Sequence, residues 1–186
     1  MNDFQKEVKD RIASNARDER LKSDAAAFMR SSIARQYSYN FSWLGRPIIQ
    51  YPQDMIAMQE LIWSIQPDLI IETGIAHGGS LIFSASMLEL NAACGGPQDA
   101  SVLGVDIDIR PHNRQAIEAH PLYRRIEMIQ GSSVAPEVVG QVRARATGRQ
   151  RILVCLDSNH THEHALAELK AYAPLVSVGS YCVVFD

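Results

Sequence analysis

The run Leu69-Ile70-Ile71-Glu72-Thr73-Gly74-Ile75-Ala76-His77-Gly78-Gly79-Ser80 limits what this chain can fold into more than any other stretch. It begins apolar and β-branched, meets an acid, then turns through glycines into a helix start. A strand buried in a parallel sheet hands over to a helix in this way in nucleotide-binding α/β domains. The glycines permit a tight turn and close approach of a ligand, and N–H groups at the helix start offer donors to polar ligand atoms. An acid where a basic residue would serve phosphate argues against a phosphate pocket. A ligand with a cationic amino-acid end, such as S-adenosylmethionine, suits the stretch better.

From Asp68 onward the pattern alternates strand and helix. Strands are expected at Leu69–Thr73, Val102–Asp106, Ile126–Ile129, Ile152–Leu156 and Tyr181–Phe185. Helices are expected at Ser80–Leu90, Asn113–Ala119, Pro136–Ala144 and Thr161–Tyr172, with Asn91–Ala100 as a loop. Such alternation implies a Rossmann-like parallel sheet with right-handed crossovers and helices on both faces. Upstream, Pro52 opens a helix carrying Met55, Met58, Leu61, Ile62 and Ile65, and Pro67 closes it. Arg35 to Tyr51 reads as an irregular aromatic segment. Residues 1–40 form a charged helical arm with thinly spaced apolar residues (Phe4, Val8, Ile12, Leu21, Phe28, Ile33), suited to a solvated face or to contacts in a homo-oligomer. The main domain spans 41–186.

Bulk properties remove several function classes. A net charge of −3 gives no reason to expect nucleic acid as a partner. No apolar run approaches the roughly 20 residues of a membrane span, and the N-terminus lacks the apolar core of a signal peptide. Cys94, Cys155 and Cys182 make no paired framework, so reduced thiols in a cytoplasmic protein are expected.

Ligands of open parallel sheets bind beyond the carboxyl ends of the strands. Those ends carry Glu72, Asp106, Gln130-Gly131-Ser132, Asp157 and Asp186. An acid after the second strand accepts from ribose hydroxyls in both NAD and S-adenosylmethionine sites. The glycine pattern separates the two. Ala76 stands where a dinucleotide fingerprint needs its second glycine, and Asp106 comes 32 residues after Gly74 against about 20 in that motif. NAD is disfavoured. A second constellation is Asp157-Ser158-Asn159-His160-Thr161-His162-Glu163-His164. Asp157 and Asp186 could hold a hard divalent cation such as Mg²⁺, with His160 taking a proton from an acidified hydroxyl. Alternatively, Asp157 with His160, His162 and His164 forms a Zn or Fe site, His160 and His164 sharing a helix face if the helix starts early. A third reading has Ser158 or Thr161 capping the helix, with the histidines merely exposed.

Several segments resemble one family. They are Trp43-x-Gly45-x-Pro47, Gln59-Glu60, Pro67-Asp68-x-Ile70-Ile71-Glu72-x-Gly74, Gly78-Gly79-Ser80, Gly104-x-Asp106-Ile107 and Gly131-Ser132-Ser133. Leu156-Asp157-Ser158-Asn159-His160-Thr161, His164-Ala165-Leu166-Ala167-Glu168-Leu169 and the run from Tyr172 to Tyr181 continue the match. The chain is similar there, over about 40–186, to the cephalosporin-hydroxylase and rhamnosyl O-methyltransferase family. The resemblance implies a class I S-adenosylmethionine-dependent methyltransferase that alkylates a hydroxyl of a sugar or secondary metabolite, with Mg²⁺ as an expected aid. By that resemblance Glu72, Gly74, Gly78, Ser80, Asp106 and Ser132 contact the cofactor. Asp157 and Asp186 bind metal, and His160 is the general base. Two departures stand out. Phe185 occupies a position where relatives often carry an acid, and relatives continue past Asp186 through two further strands and a helix. The sheet is thus expected to be incomplete on its C-terminal side, so either the chain is shortened or a partner chain covers that edge. A non-catalytic remnant is the other reading of that departure.

Overall fold

The computed structural model describes residues 2–185. The chain divides into two compact units, Met1–Asn40 and Phe41–Asp186. The first holds α1 (Asp3–Asn15) and α2 (Glu19–Ala34). Both helices start as their sequences dictate. Asn2 accepts from the Gln5 N–H while the Gln5 side chain accepts from the Asn2 N–H, and Asp18 accepts from the Leu21 N–H. Neither helix has a core face of its own: α1 buries nothing and α2 buries only Ser32.

The second unit opens with a two-stranded antiparallel hairpin, β1 (Phe41–Trp43) and β2 (Arg46–Ile48). The irregular segment expected there is therefore ordered. Leu44 and Gly45 both take positive φ (45° and 85°), as a two-residue primed turn requires, and Trp43 pairs with Arg46 across it. Helix α3 (Pro52–Ile65) follows with Pro52 in its first turn, burying Met58, Ile62 and Ile65.

The remaining elements alternate: β3 (Leu69–Thr73), α4 (Gly79–Ala93), β4 (Ser101–Asp106), α5 (Pro111–Glu118), β5 (Ile126–Gln130), α6 (Pro136–Ala146), β6 (Ile152–Leu156), α7 (His162–Tyr172) and β7 (Cys182–Val184). The sheet runs β5-β4-β3-β6-β7 with every pairing parallel. The two strands between which the order reverses, β3 and β6, are buried throughout, which explains their near-continuous apolar sequences. One core layer packs α3, α4 and Ile117 of α5 against one face of the sheet; the other packs α6 and α7 against the opposite face. Expected boundaries shift by one to three residues; α5, for one, starts at Pro111 rather than Asn113. Helix α4 runs on to Ala93 into the expected loop, and α7 begins at His162, so His160 lies in the turn before it. Cys155 is buried, Cys182 half-buried and Cys94 exposed, and none is in a disulfide. Among the described residues no helix is long and apolar enough to cross a membrane.

Candidate active site

Parallel strands direct all their carboxyl ends to one edge of the sheet. Two hollows meet there at Asp157. The larger, a cleft of about 220 Å³, is lined by Gly74, Ala76, Val105, Asp106, Ile107, Ser132, Ser133, Asp157, Ser158, Asn159 and His164. The smaller, about 30 Å³, lies among Ile48, Gln50, Met55, Met58, Glu72, Ser80, Phe83, Ser84, Cys155, Asp157 and Phe185. A roomier open groove at the amino ends of the strands holds Asp68 and Arg151. Asp68 is already engaged there by the N–H groups of Gln150 and Arg151.

Backbone geometry sets the glycine loop. At Gly74, φ is +89°, and a Cβ would lie 1.8 Å from the Asp157 carbonyl oxygen. At Gly78, φ is +83°, and a Cβ would lie 2.4 Å from the Ile117 side chain. Gly74 therefore lets β3 and β6 come together beneath the cleft, and Gly78 lets α5 close on the loop. Ala76 also adopts a left-handed conformation, φ 46°, without being glycine. Asp106 accepts from the N–H groups of Ile75 (2.7 Å) and Ala76 (3.2 Å) through one oxygen, and from the Asp108 N–H (3.0 Å) through the other. The Ile75 and Ala76 N–H groups thus point to the Asp106 carboxylate, whereas the sequence suggests that such donors serve a ligand.

On β3, Glu72 points to the same face as Ile70, the side covered by α3 and α4, and into the smaller cavity. There it is only 4% exposed and accepts a hydrogen bond from Ser84 Oγ at 2.9 Å. Burial pushes its carboxyl from the ordinary 4.5 to about 7, the Ser80 and Ser84 hydroxyls pull it down, and the Asp157 charge adds to the rise. Ser80 shares that cavity, while Gly78 lines neither hollow. Of the six residues expected to touch a cofactor, Gly74, Asp106 and Ser132 are brought together in the cleft; Glu72, Ser80 and Gly78 are not.

Asp157 stands at the junction. Burial raises its carboxyl from 3.8 to about 6, opposed by the charge of His160 and by a hydrogen bond from Gln50 Nε2 (2.9 Å), and assisted by Glu168. His160 Nε2 is 3.8 Å from Asp157, its Nδ1 lies 3.3 Å from the Phe185 carbonyl oxygen, and its side chain is half-exposed. His164 instead faces the cleft, with Nε2 3.2 Å from Ser133 Oγ and 3.4 Å from buried Glu168. Ser158 donates to Glu168 (2.7 Å), and the Tyr172 hydroxyl donates to the Ser133 carbonyl (2.6 Å). The expectation that His160, His162, His164 and Asp157 gather round one ion is not met: α7 begins too late to stack His160 on His164. Among the described residues no group of three or more His, Cys, Asp or Glu side chains could hold a metal ion. Asp186 lies outside the described residues. Capping by Ser158 or Thr161 is not met either, since Thr161 makes no side-chain cap bond and Ser158 is spent on Glu168.

Sequence reasoning missed Gln50 and weighed His164 as a metal ligand or an exposed side chain, not as a cleft-lining partner of Ser133 and Glu168. Gln50 precedes Pro52 in a segment with no periodic signal, so nothing marked it. His164 and Glu168 sit four apart in an amphipathic helix, a spacing that pairs them but does not say which cleft they face.

The family described as Rhamnosyl O-methyltransferase/CmcI matches residues 35–186. A rhamnosyl O-methyltransferase of Mycobacterium leprae (strain TN) is 33% identical over 150 residues, covering 78% of this chain and 59% of that protein. The Mycobacterium tuberculosis (strain ATCC 25618 / H37Rv) protein of the same name is 34% identical over 137 residues, 72% of this chain and 51% of its own length. The chain thus spans little more than half of the curated relatives it matches. Solved structures of CmcI, an apo form and an Mg-SAM form, have TM-scores of 0.56 and 0.53 at 20% identity. Each covers 80% of this chain, which spans 57% and 58% of theirs. At that identity the likeness establishes the fold.

Proposed function

Since the chain belongs to the Rhamnosyl O-methyltransferase/CmcI family, we propose that it transfers a methyl group from S-adenosylmethionine to a hydroxyl of a sugar or secondary metabolite. The observation that carries this reading is the family match over 35–186, which takes in every residue of the cleft. The cleft suits the cofactor. Asp106 is held where it can accept from ribose hydroxyls, Ser132 and Ser133 offer hydroxyls beyond it, and Gly74 keeps the floor free of a side chain. In the transfer the acceptor oxygen attacks the methyl carbon in line, the carbon–sulfur bond breaks, and its electron pair stays on sulfur as S-adenosylhomocysteine leaves. The hydroxyl proton must go to a base, and we assign that role to His160, which lies beside Asp157 and open to solvent. Most of the acceleration would come from holding oxygen, methyl and sulfur in line.

A divalent ion fits one observation: Asp157 is largely buried and has no Lys or Arg within ion-pair distance among the described residues. Asp157 and Asp186 are the residues that would hold Mg²⁺, which when bound would acidify the acceptor hydroxyl. The chain's own contribution there is the Gln50 amide, which fixes the Asp157 carboxylate. We also read the protein as cytoplasmic, supported by its three free cysteines, and as homo-oligomeric, supported by the exposed apolar residues of its arm, Phe4, Ile12, Leu21 and Ile33.

The test is calorimetric titration with S-adenosylhomocysteine, followed by incubation with S-adenosylmethionine and rhamnosylated acceptors under mass spectrometry. Binding followed by methylation is the expected result. No binding at millimolar ligand would refute the cofactor assignment, and binding without turnover on any hydroxyl acceptor would refute the enzyme assignment. EDTA should abolish turnover if the ion is obligatory.

A further inference from the structure

We infer that Arg46, on the hairpin and lining neither hollow, is a positioning residue for the cofactor loop Gly74–Gly78; the inference rests on the cofactor reading above. The argument is an account of where the loop's polar groups go. The N–H groups of Ile75 and Ala76 reach Asp106. The Gly78 N–H reaches the Ile75 carbonyl at 2.7 Å. The Gly78 carbonyl accepts from the Ile82 N–H, and the carbonyls of Ala76 and His77 are both taken by side chains distant in sequence. Asn113 Nδ2 donates to the Ala76 carbonyl at 2.9 Å. Arg46 donates to the His77 carbonyl twice, from Nε at 3.0 Å and Nη2 at 2.6 Å. Arg46 Nη2 also donates to Asn113 Oδ1 at 3.1 Å. One guanidinium therefore holds the loop directly and orients the amide that holds it a second time, a fork geometry only arginine supplies.

The loop needs such restraint because Ala76 sits at φ 46°, a conformation its Cβ disfavours. Ala76 is also the residue whose N–H helps to fix Asp106. Releasing Arg46 should let Ala76 relax towards right-handed backbone, withdraw its N–H, and leave Asp106 poorly aimed at the ribose. The hairpin that carries Arg46 is itself firmly seated. Trp43 Nε1 donates to Ser86 Oγ at 3.0 Å, and the Trp43 ring meets Phe83 edge-on. The Pro47 carbonyl and Ile48 pack so tightly on Gly79 that a Cβ there would lie 2.2 Å from the Pro47 oxygen. The β1–β2 hairpin thus acts as a brace between helix α4, helix α5 and the loop, with Arg46 as its contact.

The experiment measures S-adenosylhomocysteine affinity by calorimetry for the wild type, Arg46→Ala, Arg46→Lys, Asn113→Ala and the Arg46→Ala/Asn113→Ala double variant. Amide exchange at Ala76 and the melting temperature are followed alongside. Arg46→Ala should weaken binding about tenfold, as expected for loss of a charge-assisted fork. Arg46→Lys should recover part of that loss, because one ammonium can reach the His77 carbonyl but cannot also orient Asn113. The double variant should fall well short of the product of the single effects, since both act on one loop. Exchange at Ala76 should quicken in the variants more than exchange in β3 or β6. Variants that bind within twofold of the wild type, or that lose affinity only in proportion to a global loss of stability, would overturn the inference. So would failure of both Arg46 variants to fold, which would make Arg46 a general structural residue. A wild-type protein that takes up no S-adenosylhomocysteine would instead sink the cofactor assignment itself.

Discussion

Replacing Glu72 by Gln should stabilise this protein at alkaline pH and leave it nearly unchanged in acid. Glu72 is 4% exposed, and its carboxyl is raised from 4.5 to about 7, chiefly by burial. An unfolded chain loses that proton near 4.5 and the folded chain near 7, so between those values the folded state holds more protons. Stability contributed by this group is complete below pH 4.5, falls as pH climbs to 7, and is flat beyond. The displacement corresponds to about 3 kcal/mol of destabilisation carried by the ionised side chain above pH 7. Glutamine keeps the shape and can still accept from Ser84, but it carries no charge to desolvate. The variant should therefore exceed the wild type by about 3 kcal/mol at pH 8, or about 6–12 °C in melting temperature for a chain of this size. At pH 4.5 the gap should shrink to under about 0.5 kcal/mol. Urea unfolding followed by circular dichroism at pH 4.5, 6 and 8 reads this directly. Asp157 titrates in the same range and the same direction, so the difference between the two proteins, rather than either curve alone, isolates Glu72. A gap that does not vary with pH, or a variant less stable at pH 8, would refute the assignment of a desolvated carboxyl.

Gly74→Ala should cost more than about 3 kcal/mol or abolish cooperative melting, because a Cβ there meets the Asp157 carbonyl at 1.8 Å in left-handed backbone; a normal melt would contradict the strand-end geometry. Tyr172→Phe should lose about 1–2 kcal/mol by stranding the Ser133 carbonyl, and should weaken S-adenosylhomocysteine binding by loosening the Ser132–Ser133 turn. Unaltered affinity would show that this turn does not hold the ligand. Arg125→Met should cost about 2–3 kcal/mol, since Arg125 is buried, pairs with Glu89 and donates to the carbonyls of Gln98 and Ala100; chemical denaturation checks it. His160→Ala should lower turnover far more than cofactor affinity, and equal turnover would remove it as the base.

What the sequence determined by itself was everything that repeats locally. The β-branched runs ending at Thr73, Asp106 and Leu156, with prolines opening α3 and α6, are enough to write a parallel sheet covered on both faces. Chain direction then places the strand-end acids along one edge. Ala76 and the late Asp106 were enough to disfavour a dinucleotide, because that distinction lies in spacing along one loop. Tertiary structure decided which of those acids share a hollow. Glu72 points with Ile70 to the sheet face under α3 and α4 and into the smaller cavity, whereas Gly74, past the strand end, floors the cleft, a split invisible in a motif read as one unit. The start of α7 at His162 rather than at His160 dispersed a histidine cluster that looked like a metal site in one dimension. Gln50 on Asp157 and Arg46 on the His77 carbonyl join residues 107 and 31 positions apart. Such contacts depend on how a hairpin packs against a sheet, and no local spacing encodes them.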